Sequence, residues 1–175
     1  PAGPVSPTMK SLDAVEPRIP VGPTTTPSDA NALYVINVPG SYYLTGDVEG
    51  IAGKDGIRIL THNVTLDLCG FEVRGVPGAF YGIHCDVAGN VRLCNGTVRD
   101  WPGRGVSFVL APWSHIENIH SENNGGTGFY VGSGSVVRNC LAAQNGMGGY
   151  ALNGRADFYA CLASGNTGSG FFRNA

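Results

Sequence analysis

Glycine followed by a bulky residue recurs at a nearly fixed interval: Gly56-Ile57, Gly82-Ile83, Gly105-Val106, Gly128-Phe129, Gly149-Tyr150 and Gly170-Phe171. The steps are 26, 23, 23, 21 and 21 residues. "NCLAAQNGMGG" at Asn139–Gly149 is echoed 21 residues later by "ACLASGNTGSG". A period of this size denotes one unit repeated and stacked, because a single unit cannot bury its own apolar face and a stack can.

Inside each unit the apolar residues alternate with period two, which denotes strands. Ile57/Ile59, Ile83/Cys85, Val106/Phe108, Phe129/Val131 and Tyr150/Leu152 should face inward on a first strand. Val64/Leu66/Leu68, Val91/Leu93, Ile116, Val137 and Phe158 should do so on a second. Successive coils should stack in parallel at about 4.8 Å.

Register supports the stack. A step of 25 pairs Cys69 with Cys94, Leu68 with Leu93, Asp67 with Arg92 and Val73 with Val98. A step of 23 pairs Leu93 with Ile116, Asn95 with Asn118 and Arg99 with Glu122. A step of 21 pairs Ile116 with Val137, Glu117 with Arg138 and Asn118 with Asn139. Opposite charges side by side are favourable. Arg74 beside Arg99 breaks the pattern, and Glu122 in the next rung offsets it. Asn124, Asn145 and Asn166 form one column, read as a turn ladder in which Asn tolerates left-handed backbone and bonds to the Asn above and below.

The remaining composition narrows the function classes. Seven of the 11 prolines lie in residues 1–27, so residues 1–32 should form an extended Pro-rich arm and residues 33–175 the repeat domain. The arm is either a loose leader or a segment lying along its own or a neighbouring domain. A net charge of −2 without a basic stripe argues against nucleic-acid binding. The apolar runs are too short to span a bilayer. The opening "PAGPVSP" reads as a mature or trimmed exported protein, and five cysteines fit an oxidising compartment.

"PGSYYLTGDVEGIAGKDGIRILTHNVTLDLCGFEVRG", Pro39–Gly75, resembles the opening coils of exported bacterial β-helix repeat proteins. There an "N-V-T-L-D-L-x-G-F" strand follows a "G-I" strand. The resemblance is to the right-handed parallel β-helix proteins of the pectin-lyase-like superfamily, and it runs over about Leu33–Arg173. It implies an all-β solenoid, here of about six short coils. The fold hosts lyases, hydrolases, epimerases, adhesins and phage fibres, so it implies no single activity. The resembling enzymes cleave acidic polysaccharides with clustered carboxylates that hold Ca²⁺ and an Arg or Lys base, or with grouped Asp residues.

The outward column of the first strand, Arg58, His84, Ser107, Tyr130, Ala151 and Phe172, carries no carboxylate. Asp86, Asp100 and Asp157 fall at different places in their units, so no acidic cluster emerges. Arg58, Tyr81, His84, Trp101 and Arg104 can share a shallow patch of the kind that suits sugars, or belong to ordinary surface and core-edge packing. His62, His84, His115 and His120 lack metal-ligand spacing, and no metal or cofactor is expected. Cys69/Cys94 and Cys140/Cys161 stand one rung apart, which suits either disulfides or stacked buried thiols, and Cys85 reads as a buried thiol.

Two functional expectations follow. The first is a non-catalytic secreted or cell-surface scaffold that self-associates head to tail through an uncapped final coil at Gly170, Phe171, Phe172 and Arg173. The second is a polysaccharide-active (uronate lyase or hydrolase-like) or glycan-binding β-helix, for which a polysaccharide is the partner. A segment of a longer β-helix would also explain the abrupt final coil.

Overall fold

Alternating apolar residues between glycine and asparagine corners fold into a parallel β-solenoid in the computed structural model, which describes residues 17–86 and 89–173. Every regular element among the described residues is a strand. No helix there is long and apolar enough to cross a membrane. Residues 1–16, half of the expected arm, lie outside the described residues.

One face stacks Ala32–Ile36, Asp55–Ile59, Ile83–Cys85, Val106–Phe108, Phe129–Val131, Tyr150–Leu152 and Phe171–Arg173 as a seven-stranded parallel sheet. There are thus seven rungs on this face among the described residues. The glycine marker counts six because the first rung, Ala32–Ile36, lacks it. The other strands form an 11-stranded sheet that bends into two faces. Val91–Arg99 and His115–Glu122 run through the bend, pairing Val64–Asp67 and Ser135–Arg138 on one side and Glu72–Arg74 and Leu141–Ala143 on the other. The bend falls where Asn95, Asn118, Asn139 and Ala160 adopt φ of 61°, 53°, 50° and 50°. At this corner one left-handed residue in each of these four rungs turns the chain, and Asn accepts that conformation at low cost.

The core lies inside the coil. Ile57, Ile59, Ile83, Val106, Phe108, Phe129, Val131 and Tyr150 are buried on the first face, and Val64, Leu66, Leu68, Val91, Leu93, Ile116 and Val137 are buried on the second. The rings of Phe129, Tyr150 and Phe171 stack along the axis with centroids 4.9 Å and 4.6 Å apart. Ile19–Pro20 pairs with Tyr42–Tyr43, and Val21 and Thr26 are buried beside the first rung. The Val35 N–H donates to Thr26 O at 3.4 Å, so residues 19–26 cover that end of the core.

Three register expectations need correction. Leu66 pairs with Leu93 and Asp67 with Cys94, a step of 27, while Val73 pairs with Val98 at 25. The two extra residues sit in the corner at Cys69 (φ 52°) and Gly70 (φ 85°), opposite the single corner residue Asn95. Cys69 is therefore not beside Cys94, Leu68 is not beside Leu93, and Asp67 is not beside Arg92. Asp67 instead meets Arg18 at 3.1 Å, and Arg92 meets Glu117. The later steps of 23 and 21 hold, including Arg99 beside Glu122 and Glu117 beside Arg138. Arg74 does stand beside Arg99, with Glu49 at 3.1 Å from Arg74 and Asp100 at 3.1 Å from Arg99.

The asparagine column is a ladder, but its members do not carry the left-handed backbone. Asn123, Gln144 and Gly165, each one residue earlier, have φ of 54°, 53° and 62°. That corner turns Asn124 and Asn145 into the interior, where both are buried. Asn145 Oδ1 accepts from the Asn124 amide N–H and Nδ2, and Asn166 Oδ1 accepts from the same groups of Asn145, all at 2.9–3.1 Å. Asn145 Nδ2 also donates to Ser121 O at 3.0 Å. Removing one amide strands buried partners above and below. Asn145→Ala should lower unfolding free energy by on the order of 3 kcal/mol, read by urea denaturation, and a loss below about 1 kcal/mol would contradict the ladder's role.

Candidate functional site

The outward column of the seven-stranded face is aligned as expected: Arg58, His84, Ser107, Tyr130, Ala151 and Phe172 are neighbours in register. Ser107 and Ala151 are nonetheless buried. The Arg104 side chain reaches over Ser107, with Nη1 3.4 Å from its Oγ.

At the Arg58–His84 end, two carboxylates join the column. Asp55 opens the strand bearing Arg58, and Asp86 follows the strand bearing His84. His84 Nδ1 lies 2.9 Å from Asp55 Oδ2, and its Nε2 lies 2.6 Å from Asp86 Oδ1. The ring can donate to both only as imidazolium, and the neutral ring donates to one. Arg58 Nε donates to Asp86 Oδ2 at 2.9 Å, and Nη2 reaches the same oxygen. The hydrogen bond to Asp86 raises the already high Arg58 pKa further. Asp55 Oδ1 accepts the Tyr81 backbone N–H at 3.1 Å. Every carboxylate oxygen of this pair thus has a protein nitrogen within 3.1 Å.

Aromatic rings frame the charges. The Tyr81 ring meets the His84 ring edge to face, with centroids 4.9 Å apart. The Arg104 guanidinium lies 4.5 Å over Tyr130 and 5.5 Å from the Tyr81 centroid, both within cation–π range. A shallow depression of about 540 Å³ is lined by Asn31, Asp55, Arg58, Phe80, Tyr81 and His84, with Pro102 and Gly103 at its edge. Phe80 is 53% exposed. Its backbone is fixed from both sides, taking its N–H to Lys54 O at 3.0 Å and accepting from the Gly103 N–H at 2.9 Å.

Of the five residues the sequence groups together, Arg58, Tyr81 and His84 line the depression, and Arg104 sits against Tyr81. Trp101 does not join them. It is fully buried, with Nε1–H donating to Val73 O at 3.0 Å and its backbone N–H donating to Asn124 Oδ1 at 3.1 Å. It occupies the rung position that Asn124 and Asn145 hold in the following turns. Its indole fills space left by glycines: a Cβ at Gly50 or Gly56 would stand 2.7 or 2.8 Å from ring carbon Cη2. Gly82 is more constrained still, since a Cβ there would lie 2.4 Å from Val98 Cγ1 and 2.6 Å from Gly105 O.

Asp55, Asp86 and Phe80 escaped the sequence reading. Asp55 opens its strand and Asp86 follows its own, so the two occupy different places in their units and no repeat aligns them. Phe80 belongs to the insertion "GVPGAFYG", whose shape no periodicity encodes. The remaining groups are dispersed: no set of three or more His, Cys, Asp or Glu among the described residues is placed to hold a metal ion. All five cysteines are free thiols.

The fold places the chain in the class of parallel β-solenoids. No protein-family model, no curated protein and no solved structure matches it.

The core and site roles of neighbouring residues are separable. Trp101→Ala should cost about 3–5 kcal/mol of stability, whereas Arg104→Ala should cost no more than about 1 kcal/mol. Equal losses in guanidinium unfolding would refute that division.

Proposed function

We propose that this solenoid is a binding scaffold whose depression receives a glycan. The observation that carries this reading is the exposed, backbone-anchored Phe80 ring beside a floor of fixed polar groups. Aromatic rings offer an apolar face to the C–H surface of a sugar, while the Asn31 amide and the Arg104 guanidinium supply donors to hydroxyl or acidic groups. No ion pair to a carboxylate engages Arg104 among the described residues, which leaves its charge available to a ligand.

Binding without turnover is the form the site supports. Glycosidic cleavage needs carboxylates free to donate a proton and to attack or activate water. Asp55 is 4% exposed and held by Tyr81 and His84, while Asp86 is held by Arg58 and His84. Freeing either oxygen set would break charge-assisted bonds, which are stronger than neutral ones. The network reads as a rigid floor.

Glycan arrays spanning neutral and uronate-containing oligosaccharides, followed by calorimetry on the best ligand, test this proposal. Phe80→Ala and Arg104→Ala should each weaken binding by about tenfold or more, near 1.4 kcal/mol. Absence of any ligand on the arrays, or unaltered affinity in both variants, would sink it.

A second reading, self-association, rests on the last described rung. Tyr159, Leu162 and Phe171 are 53%, 60% and 46% exposed there, and Phe171 ends the ring stack. A second copy stacked on that rung would cover them and extend the sheet. Light scattering across a concentration series should show dimers that Leu162→Asp abolishes. A monomer at all concentrations rejects this reading.

A further inference from the structure

Cys140 and Cys161 occupy one column on adjacent rungs. Arg138 pairs with Tyr159 and Leu141 with Leu162, and the Leu162 N–H donates to Cys140 O at 2.9 Å. Each cysteine directly follows a left-handed corner residue, Asn139 or Ala160. Rungs about 4.8 Å apart lie within the Cα separation of disulfides. Cys140 Sγ lies 3.1 Å from Arg138 O and 3.8 Å from Ile116 O, and Cys161 Sγ lies 3.4 Å from both Tyr159 O and Val137 O, so the two thiols meet equivalent carbonyls on successive rungs. Cys140 is buried, and Cys161 is partly open to solvent.

The surroundings favour a thiolate on the outer sulfur. The neighbouring Cys140 thiol lowers the Cys161 pKa below that of an ordinary thiol, against the opposing effect of burial. The Tyr150 hydroxyl sits between the two rungs, 2.7 Å from Cys140 O and 3.2 Å from Leu162 O. The same pairing pushes Cys140 up, so the inner sulfur holds the proton. The other cysteines differ. Burial pushes Cys94 up to about 11, burial and then Asp67 raise Cys69, and Cys85 is sealed in the core. The register shift at Cys69 and Gly70 leaves Cys94 beside Asp67.

We propose that Cys140 and Cys161 are a redox-active dithiol that closes to a cross-rung disulfide by exchange with a small aliphatic disulfide. The Cys161 thiolate attacks one sulfur of the reagent, its S–S bond breaks, and one alkanethiolate leaves. Cys140 then passes its proton to that thiolate and attacks Cys161 Sγ, expelling the second alkanethiolate, which takes a proton from water. The protein loses two electrons and the one proton that Cys140 held, and the reagent, which takes its second proton from water, is reduced to two thiols. The accessible sulfur is the attacking one and the buried sulfur resolves the mixed disulfide. The staple joins the last two described rungs of the column.

Hydroxyethyl disulfide added to the reduced, folded protein tests this. After quenching with iodoacetamide, tryptic mapping should recover peptides 139–155 and 156–173 joined through Cys140 and Cys161. Cys85 and Cys94 should alkylate only after unfolding. In the reduced protein, alkylation of Cys161 should rise with pH and level off below the range of an ordinary thiol, about 8.5. The oxidised form should melt higher by roughly 5 °C. Cys140→Ser should stop at the mixed disulfide on Cys161. If that variant does not fold, the wild-type peptide map and the pH profile decide. A stable mixed disulfide on wild-type Cys161, or alkylation that tracks an ordinary thiol near pH 8.5, overturns the proposal.

Discussion

In-register stacking of one rung on the next is the constraint on which everything else here depends. Each strand of the seven-stranded face takes its backbone hydrogen bonds from neighbouring turns, so no turn satisfies its own polar backbone. The same geometry sets like residue beside like residue. Apolar side chains become continuous columns, as in the Phe129–Tyr150–Phe171 ring stack. A column of Asn becomes a ladder of buried amides, and a column of opposite charges becomes ion pairs such as Arg92–Glu117.

That constraint also explains where the candidate site lies. Outward positions of a rung are ordinarily solvated and cost nothing to vary. Near Arg58 and His84 an insertion folds over the column and forms a depression. "GVPGAFYG" supplies it, bringing Phe80 and Tyr81 over Arg58 and His84. Asp55 and Asp86 then hold the histidine from both nitrogens. The shortening of later coils to 21 residues leaves no comparable loop there, and the chemistry is concentrated near the second and third rungs.

Much of the fold was legible before any coordinate. The glycine interval, the period-two alternation and the Asn column are one-dimensional signals, and a solenoid is close to one-dimensional. The same regularity misled where the sequence departs from it. A two-residue insertion at Cys69 and Gly70 leaves the apolar pattern on both sides intact, so a uniform step of 25 looked sound and was wrong for half the rung. Trp101 looked like a surface aromatic among Pro and Gly. It is the residue that fills the interior where Gly50, Gly56 and Gly82 leave room, and that void belongs to three different turns.

By itself the sequence determined the stacked parallel architecture, the inward columns, the ladder partners and the outward alignment of Arg58 with His84. These follow from local periodicity, because each rung meets only its neighbours. The tertiary structure alone decided that Asp55 and Asp86 converge on His84, that Trp101 is core, that residues 19–26 cover the first rung, and that Cys69 is displaced from Cys94. Each of these depends on how a corner or insertion turns a side chain in space, and spacing along the chain does not carry that direction.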